Sequence, residues 1–313
     1  MRVDLPNTTV AGISRELVRI REEGGAVALG RVLTLIILTS PAEAELAIDA
    51  ANAASREHPM RVLVLVDADE HPTGASRLDA EIRVGGDAGA SEVIVLRPHG
   101  DAAHDPESLV TGLLLPDAPI VAWWSAERPE HIAASPIGRI ATRRITDVRS
   151  TGGTGDTLSE LADHFTRGDT DLAWTRITLW RSQLAAVLDQ PPYEPVERIE
   201  VVGATDSPSA VLLAAWLGLQ LDAPVDLRTP HTLADGFGVA SVRLDRSSGP
   251  VTLTRITEVA AELRQPAQPI HEVALPLRTM QECLAEELRR LDPDELYERV
   301  LTLGLARTRT VES

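Results

Sequence analysis

Apolar positions along this chain follow two spacings. Continuous apolar runs of strand length occur at Val32 to Leu38, at RVLVLV (61–66) and at APIVAWW (118–124). Such runs predict strands buried on both faces of a sheet. Helical spacing predicts a helix ending near Glu23, with Ile13, Leu17 and Ile20 on one face and Gly24-Gly25 as its stop. Ser40-Pro41 predicts a cap and first-turn proline for a helix through AEAELAIDAANAASRE (42–57), before the strand RVLVLV. This strand–helix–strand order predicts a parallel pair joined by a right-handed crossover. LDAEIRV (78–84) and SEVIVL (91–96) read as further strands separated by GGDAGA, a plain turn because no helix follows it. Pro106 to Leu115 reads as a helix.

The stretch Asp169 to Leu188 places Trp174, Ile177, Trp180, Leu184, Val187 and Leu188 on one broad apolar face. Leu172, Leu179 and Ala186 form a second, narrower stripe, and Arg176 and Arg181 flank the broad face. Asp171 stands at the expected N-cap. Two apolar stripes imply a helix held on both sides, either between two domains or within one. The expected fold class is α/β, with two α/β domains, 1–168 and 169–313, whose mixed and largely buried sheets are joined through this helix near 171–188.

In the second half IEVVG (199–203) reads as a strand, and Ser207-Pro208 caps a helix through Leu219. That unit lacks the second and third glycines of a dinucleotide fingerprint. VASVRLD and PVTLTRI, joined by RSSG, predict an antiparallel hairpin. Two helices close the chain, the second starting with a capping box from Asp292 to Glu295 and stopping at Gly304.

Length and charge narrow the function. The 313 residues suit two domains, and 43% hydrophobic content is ample for real cores. A net charge of −17 disfavours phosphate backbones and anionic membranes, so no nucleic-acid or membrane partner is expected. Every basic side chain apart from histidine is arginine, which removes lysine Schiff bases and P-loop lysines. Cys283 is the single cysteine, excluding an intramolecular disulfide. The N-terminus lacks the regions of a signal peptide, and no apolar run approaches the ~20 residues of a membrane span. A cytoplasmic location is expected.

Two groups invite a chemical reading. Arg139, Arg143 and Arg144 gather within SPIGRIATRRITD (135–147), where they either bind a phosphate or a partner's carboxylates or pair with the chain's own acids. Trp123 and Trp124 alternate sides of a strand, one toward the core and the other toward a groove or a covering element. His58, His71, His99 and His104 fall in the first half, with Asp101 and Asp105 beside the last two. HGDAAHD (99–105) lies in a polar loop that no other motif supports as a metal site. No nucleophile elbow, zinc helix or Cys–His pair stands at a recognisable spacing. No catalytic residue, metal or cofactor is assigned.

GRVLTLII, AANAASREHPMRVLVL, LLLPDAPIVAWW, RRITD, DLAWTRITLWR and LAEELRRLDPDELYERVL, in this order, resemble the OpcA family. These are the glucose-6-phosphate dehydrogenase assembly proteins of actinobacteria and cyanobacteria, and the lysine-free composition fits the actinobacterial type. The resemblance implies a non-enzymatic partner of glucose-6-phosphate dehydrogenase. Such a protein promotes the active oligomer or tunes it allosterically, controlling the oxidative pentose phosphate pathway and NADPH supply. Thioredoxin-linked cysteine control, associated with cyanobacterial members, has no basis with Cys283 alone. The expected partner surface comprises Arg139, Arg143 and Arg144 with the exposed side of the Trp123–Trp124 strand. The competing reading is a sugar-phosphate- or nucleotide-binding protein or enzyme that uses the same arginines.

Overall fold

The structure is a computed structural model describing residues 1–23, 30–67, 76–85, 92–148, 155–204, 207–229 and 238–312. The expected turn at GGDAGA lies outside these residues from Gly86 onward, as do His71 and the glycine-rich 150–154. Two compact units form, each discontinuous in sequence. Unit 1 comprises 1–147, 168–170 and 280–293; unit 2 comprises 148–167, 171–279 and 294–313.

Unit 1 is built on a sheet whose middle strands are the apolar runs. These are β2 (Leu33–Thr39), β3 (Met60–Val66), β5 (Glu92–His99) and β6 (Ile120–Trp124). The remaining strands are β1 (Arg2–Thr8), β4 (Arg77–Val84), β7 (Arg143–Thr146) and β8 (Asp169–Asp171). The order across the sheet is β1-β4-β5-β3-β2-β6-β7-β8. From β5 to β7 all neighbours are parallel, while β4 and β1 add antiparallel edges. Every residue of β3 is buried, including Arg61, whose guanidinium pairs with Glu92 of β5.

Two departures from the expected elements have local causes. β1 contains Pro6, which reads against a strand, but an edge strand tolerates the missing donor. Its register slips between Leu5 and Thr8, beside Asn7 at φ +48°. The helix after β2 starts later than Ser40-Pro41 predicts. α2 spans Ala44–Ala54, after α1 (Val10–Glu23), and its N-cap is Glu43, with no side-chain cap. The Ser40 carbonyl accepts from the Glu43 and Ala44 N–H groups at 3.2 and 3.1 Å, closing a turn that delays the helix. Two short helices, α3 (Pro106–Thr111) and α4 (Pro136–Ile140), are capped by Asp105 and Ser135.

Unit 2 holds α5 (Gly155–Asp163), α6 (Leu172–Arg176), α7 (Thr178–Leu188), β9 (Arg198–Gly203), α8 (Pro208–Leu221), β10 (Val225–Thr229) and β11 (Val239–Asp245). Its remaining strands are β12 (Val251–Arg255), β13 (Ala260–Arg264), β14 (His271–Ala274) and β15 (Thr308–Glu312). The sheet order is β14-β13-β12-β11-β9-β10-β15. The hairpin of β11 and β12 is antiparallel as expected, and β9, β10 and β15 run parallel. α8 is apolar nearly all round and correspondingly buried on most sides.

The chain's last helices divide between the units. α9 (Met280–Arg289) packs against α2 in unit 1, and α10 (Glu295–Arg299) belongs to unit 2. Asp294, not Asp292, caps α10: its Oδ1 accepts from the Leu296 and Tyr297 N–H groups at 3.0 and 2.9 Å. Gly304 does not stop the helix outright, because a π turn over Val300–Gly304 and a 3-10 turn carry on from it. Its small size serves packing instead. A Cβ there would meet the Ala215 carbonyl oxygen of α8 at 2.9 Å.

Candidate functional site

The parallel strands of unit 1 run β5-β3-β2-β6-β7, and sequence order reverses between β2 and β6. In an open α/β sheet ligands bind outside the carboxyl ends of the strands at this switch point. A cleft of ≈ 590 Å³ lies there. Its walls include Thr39 at the end of β2, Ser40 just after it, Asp67 after β3, Trp124 at the end of β6, and Glu127. Apolar side chains and prolines make up most of the rest. Among the described residues no arginine lines the cleft, and its mostly apolar walls suit an apolar or hydroxylated group.

The turn into α2 supports that reading. A dinucleotide fold places glycines here so that a pyrophosphate can reach the helix N-terminus. This chain has Ser40-Pro41-Ala42-Glu43 instead. Glu43 therefore puts a carboxylate at the helix start, and one of its oxygens, Oε2, is buried without a hydrogen bond. Burial raises its pKa above the ordinary carboxylate value, and repulsion from Asp147 adds to the shift.

The arginine cluster of the sequence does not present three cations on one surface. Arg143 on β7 is 3% exposed; its Nε donates to Glu287 of α9 at 3.1 Å, and its Nη1 donates to the Asp292 carbonyl at 2.8 Å. Arg144 is likewise buried and paired with Asp169 of β8. Arg139 alone of the three is exposed, with Nη2 3.1 Å from Glu107. Both faces of β7 are buried, so adjacent Arg143 and Arg144, which point to opposite faces of the strand, each pair with a carboxylate inside the protein. Trp123 and Trp124 are also buried, at 0% and 2%, which corrects the expectation of an exposed side. Trp124 reaches the cleft as a wall residue.

The segment 169–188 is a short strand and two helices rather than one long helix. Asp171 caps α6 through the Ala173 N–H at 2.8 Å. The helix breaks at Ile177, where Arg278 Nη1 donates to the Thr175 carbonyl at 2.9 Å and so serves an acceptor that a continuous helix would use. Trp174, Ile177, Trp180, Leu184 and Val187 are buried as the broad stripe predicts. The second stripe is graded: Leu172 is buried, Leu179 half-buried and Ala186 exposed. Trp174 is the node of this region. Its indole N–H donates to Asp294 at 2.9 Å, Tyr297 packs at 5.9 Å between centroids, and the Arg181 guanidinium lies 3.6 Å above its ring. Arg176 and Trp180 line a separate hollow of ≈ 200 Å³ in unit 2.

HGDAAHD serves the fold locally. His99 Nε2 lies 3.1 Å from Asp79 on β4, and Asp105 caps α3 through the Ser108 N–H at 3.1 Å.

Two family profiles match the chain in succession. Residues 51–163 match the glucose-6-phosphate dehydrogenase subunit N-terminal domain, and residues 167–301 match its C-terminal domain. The chain belongs to the OpcA family. Both domains occur in the family's order and together span most of the sequence. Among curated proteins no sequence matches this OpcA member. Solved structures similar to it include myo-inositol dehydrogenase from Lactobacillus casei, at 12% identity and TM-score 0.41, covering 88% of this chain and 93% of that one. Biliverdin reductase from Synechocystis follows at 10% identity and TM-score 0.40, covering 88% and 97%. A glucose-6-phosphate dehydrogenase bound to glucose 6-phosphate gives 11% identity and TM-score 0.34, covering 90% and 91%.

Proposed function

We propose that this OpcA-family chain is a non-catalytic assembly factor and allosteric activator of glucose-6-phosphate dehydrogenase. It binds the enzyme in the cytoplasm and favours its active oligomer, raising NADPH production at the entry to the oxidative pentose phosphate pathway. The observation that carries this reading is the ordered match to both domains of the dehydrogenase subunit family. The turn into α2 supports the non-catalytic part, since it has Ser40-Pro41-Ala42-Glu43 where a dinucleotide fingerprint would have glycines. Activation follows from population shift: a protein that binds one state of the enzyme tenfold more tightly moves the equilibrium toward it by about 1.4 kcal/mol.

Of the residues expected at the partner surface, Arg139 is exposed, which supports it as a contact, whereas Trp123, Trp124, Arg143 and Arg144 are buried. Mixing the purified chain with its cognate dehydrogenase tests the proposal through turnover and complex mass. Arg139→Gln is expected to weaken the complex and to cost the free chain less than about 1 kcal/mol, the exposed pair with Glu107 being worth little. Unchanged binding by that variant removes Arg139 from the interface.

A further inference from the structure

β14 forms one edge of the unit 2 sheet, where it pairs antiparallel with β13. The register sets Ala261 opposite Val273 and Leu263 opposite His271. The Leu275 N–H donates to the Val259 carbonyl at 2.9 Å, which fixes the alternation of backbone groups. Those of His271, Val273 and Leu275 face β13, and those of Glu272 and Ala274 face away from the sheet. Pro276, at the next outward position, has no N–H to donate. Among the described residues no strand pairs with this outer edge.

The edge carries exposed apolar side chains at both ends and an acidic centre. Ile270, just before β14, is 54% exposed. Val259 and Leu277 are exposed at the other end, where the Leu277 N–H donates to the Glu258 carbonyl at 2.7 Å. Between these ends, exposed Glu272 stands directly opposite Glu262 of β13, so two carboxylates share one face at cross-strand distance. Arg264 pairs with Glu262, and among the described residues no cation pairs with Glu272. Like charges directly opposite destabilise a sheet, and a cation arriving beside Glu272 relieves them.

We infer that the outer edge of β14 receives an extended segment of a partner protein, which adds a strand to the unit 2 sheet and places an arginine or lysine opposite Glu272. On the assembly reading, on which this inference rests, that partner is the dehydrogenase. The outward N–H and C=O groups of Glu272 and Ala274 hold the segment's main chain, while side-chain contacts select its sequence. Apolar side chains of the segment meet Ile270 at one end and Val259 and Leu277 at the other. A second copy of this chain fits the edge less well. Antiparallel pairing of two β14 edges sets both Glu272 side chains on one face, beside the Glu262 of each copy, and so adds carboxylates to carboxylates.

The experiment measures binding of the full-length chain to its cognate dehydrogenase by calorimetry, with the mass of each sample from light scattering. Ala274→Pro removes an outward N–H and leaves the bonds to β13 in place, since an edge strand tolerates proline on its open side. It is expected to weaken the complex about tenfold. Glu272→Arg is expected to weaken it too, because the partner's cation then meets a like charge. In the free chain the same substitution creates a cross-strand pair with Glu262, so its unfolding temperature is expected to be no lower than the parent's. That variant keeps the test decisive if Ala274→Pro fails to fold. Binding by Glu272→Arg, or by folded Ala274→Pro, that equals the parent's overturns the docking edge and leaves the assembly reading standing. A dimer of the free chain that Ala274→Pro dissolves assigns the edge to a second copy and also overturns the inference. No complex with the parent chain overturns both readings together.

Discussion

Arg143 of β7 and Glu287 of α9, 144 residues apart in sequence, form a buried ion pair inside unit 1. The pair ties a helix near the end of the chain to a strand from its first half. Both side chains are almost fully removed from water, so neither charge has an alternative partner in solvent. Glu287→Ala leaves the guanidinium buried and is expected to cost about 3–5 kcal/mol. The double variant Arg143→Met/Glu287→Leu, which removes both charges and keeps the volume, is expected to recover most of that loss. Urea unfolding of the three proteins measures the difference; equal destabilisation by the single and double variants shows that packing, not charge, dominates.

Asp294 serves two structures at once, accepting from the Trp174 indole and from two N–H groups at the start of α10. Asp294→Ala is expected to cost about 2–4 kcal/mol by removing a cap and orphaning a buried donor. Trp174→Phe removes the indole donor, together with part of the ring surface packed on Tyr297 and under Arg181, and spares the cap. Chemical denaturation followed by circular dichroism distinguishes them: a larger loss for Asp294→Ala than for Trp174→Phe is not required, but an Asp294→Ala effect under about 0.5 kcal/mol contradicts the double role.

Glu43 makes stability depend on pH. Its pKa is raised in the folded chain, chiefly by burial and further by Asp147, so the folded state holds a proton that the unfolded state releases first. Stability from this group is present below the unfolded value, about 4.3 for a glutamate, and is lost as pH rises through the folded one. Glu43→Gln is therefore expected to raise the unfolding temperature near pH 7 and to change it little near pH 3.5, about a unit below the unfolded pKa. A variant less stable than the parent near pH 7 contradicts the assignment.

The two stripes of the 171–188 segment differ in burial, and so in tolerance. Leu184 is 1% exposed, whereas Leu179 is half-buried. Leu184→Asp is expected to cost several kcal/mol, enough to unfold a marginal domain, and Leu179→Asp about 1–2 kcal/mol. Soluble yield and thermal unfolding of the two proteins provide the comparison. Equal losses contradict the graded stripe.

Long, regular patterns in this chain were readable before folding. The apolar runs of β2, β3 and β6, the broad stripe through Trp174 and Trp180, and the Ser207 cap of α8 all depend on local spacing, which sequence displays directly. What was hidden depends on distant partners. β15 becomes a strand because β10 offers it a parallel edge, and α9 joins unit 1 because α2 and Arg143 receive it. The arginines illustrate the same limit at the site. Adjacent Arg143 and Arg144 looked like a cluster but each found its own carboxylate, while Arg176, Arg255 and Arg278, far apart in sequence, line one hollow.

The proposed activation of glucose-6-phosphate dehydrogenase rests on this chain favouring the enzyme's active oligomer. Its most direct test is NADPH production by the purified cognate enzyme with and without this chain, on samples also sized by light scattering. The account predicts higher turnover together with a heavier complex containing both proteins. No complex and unchanged turnover, over micromolar concentrations with glucose 6-phosphate and NADP present, contradict it.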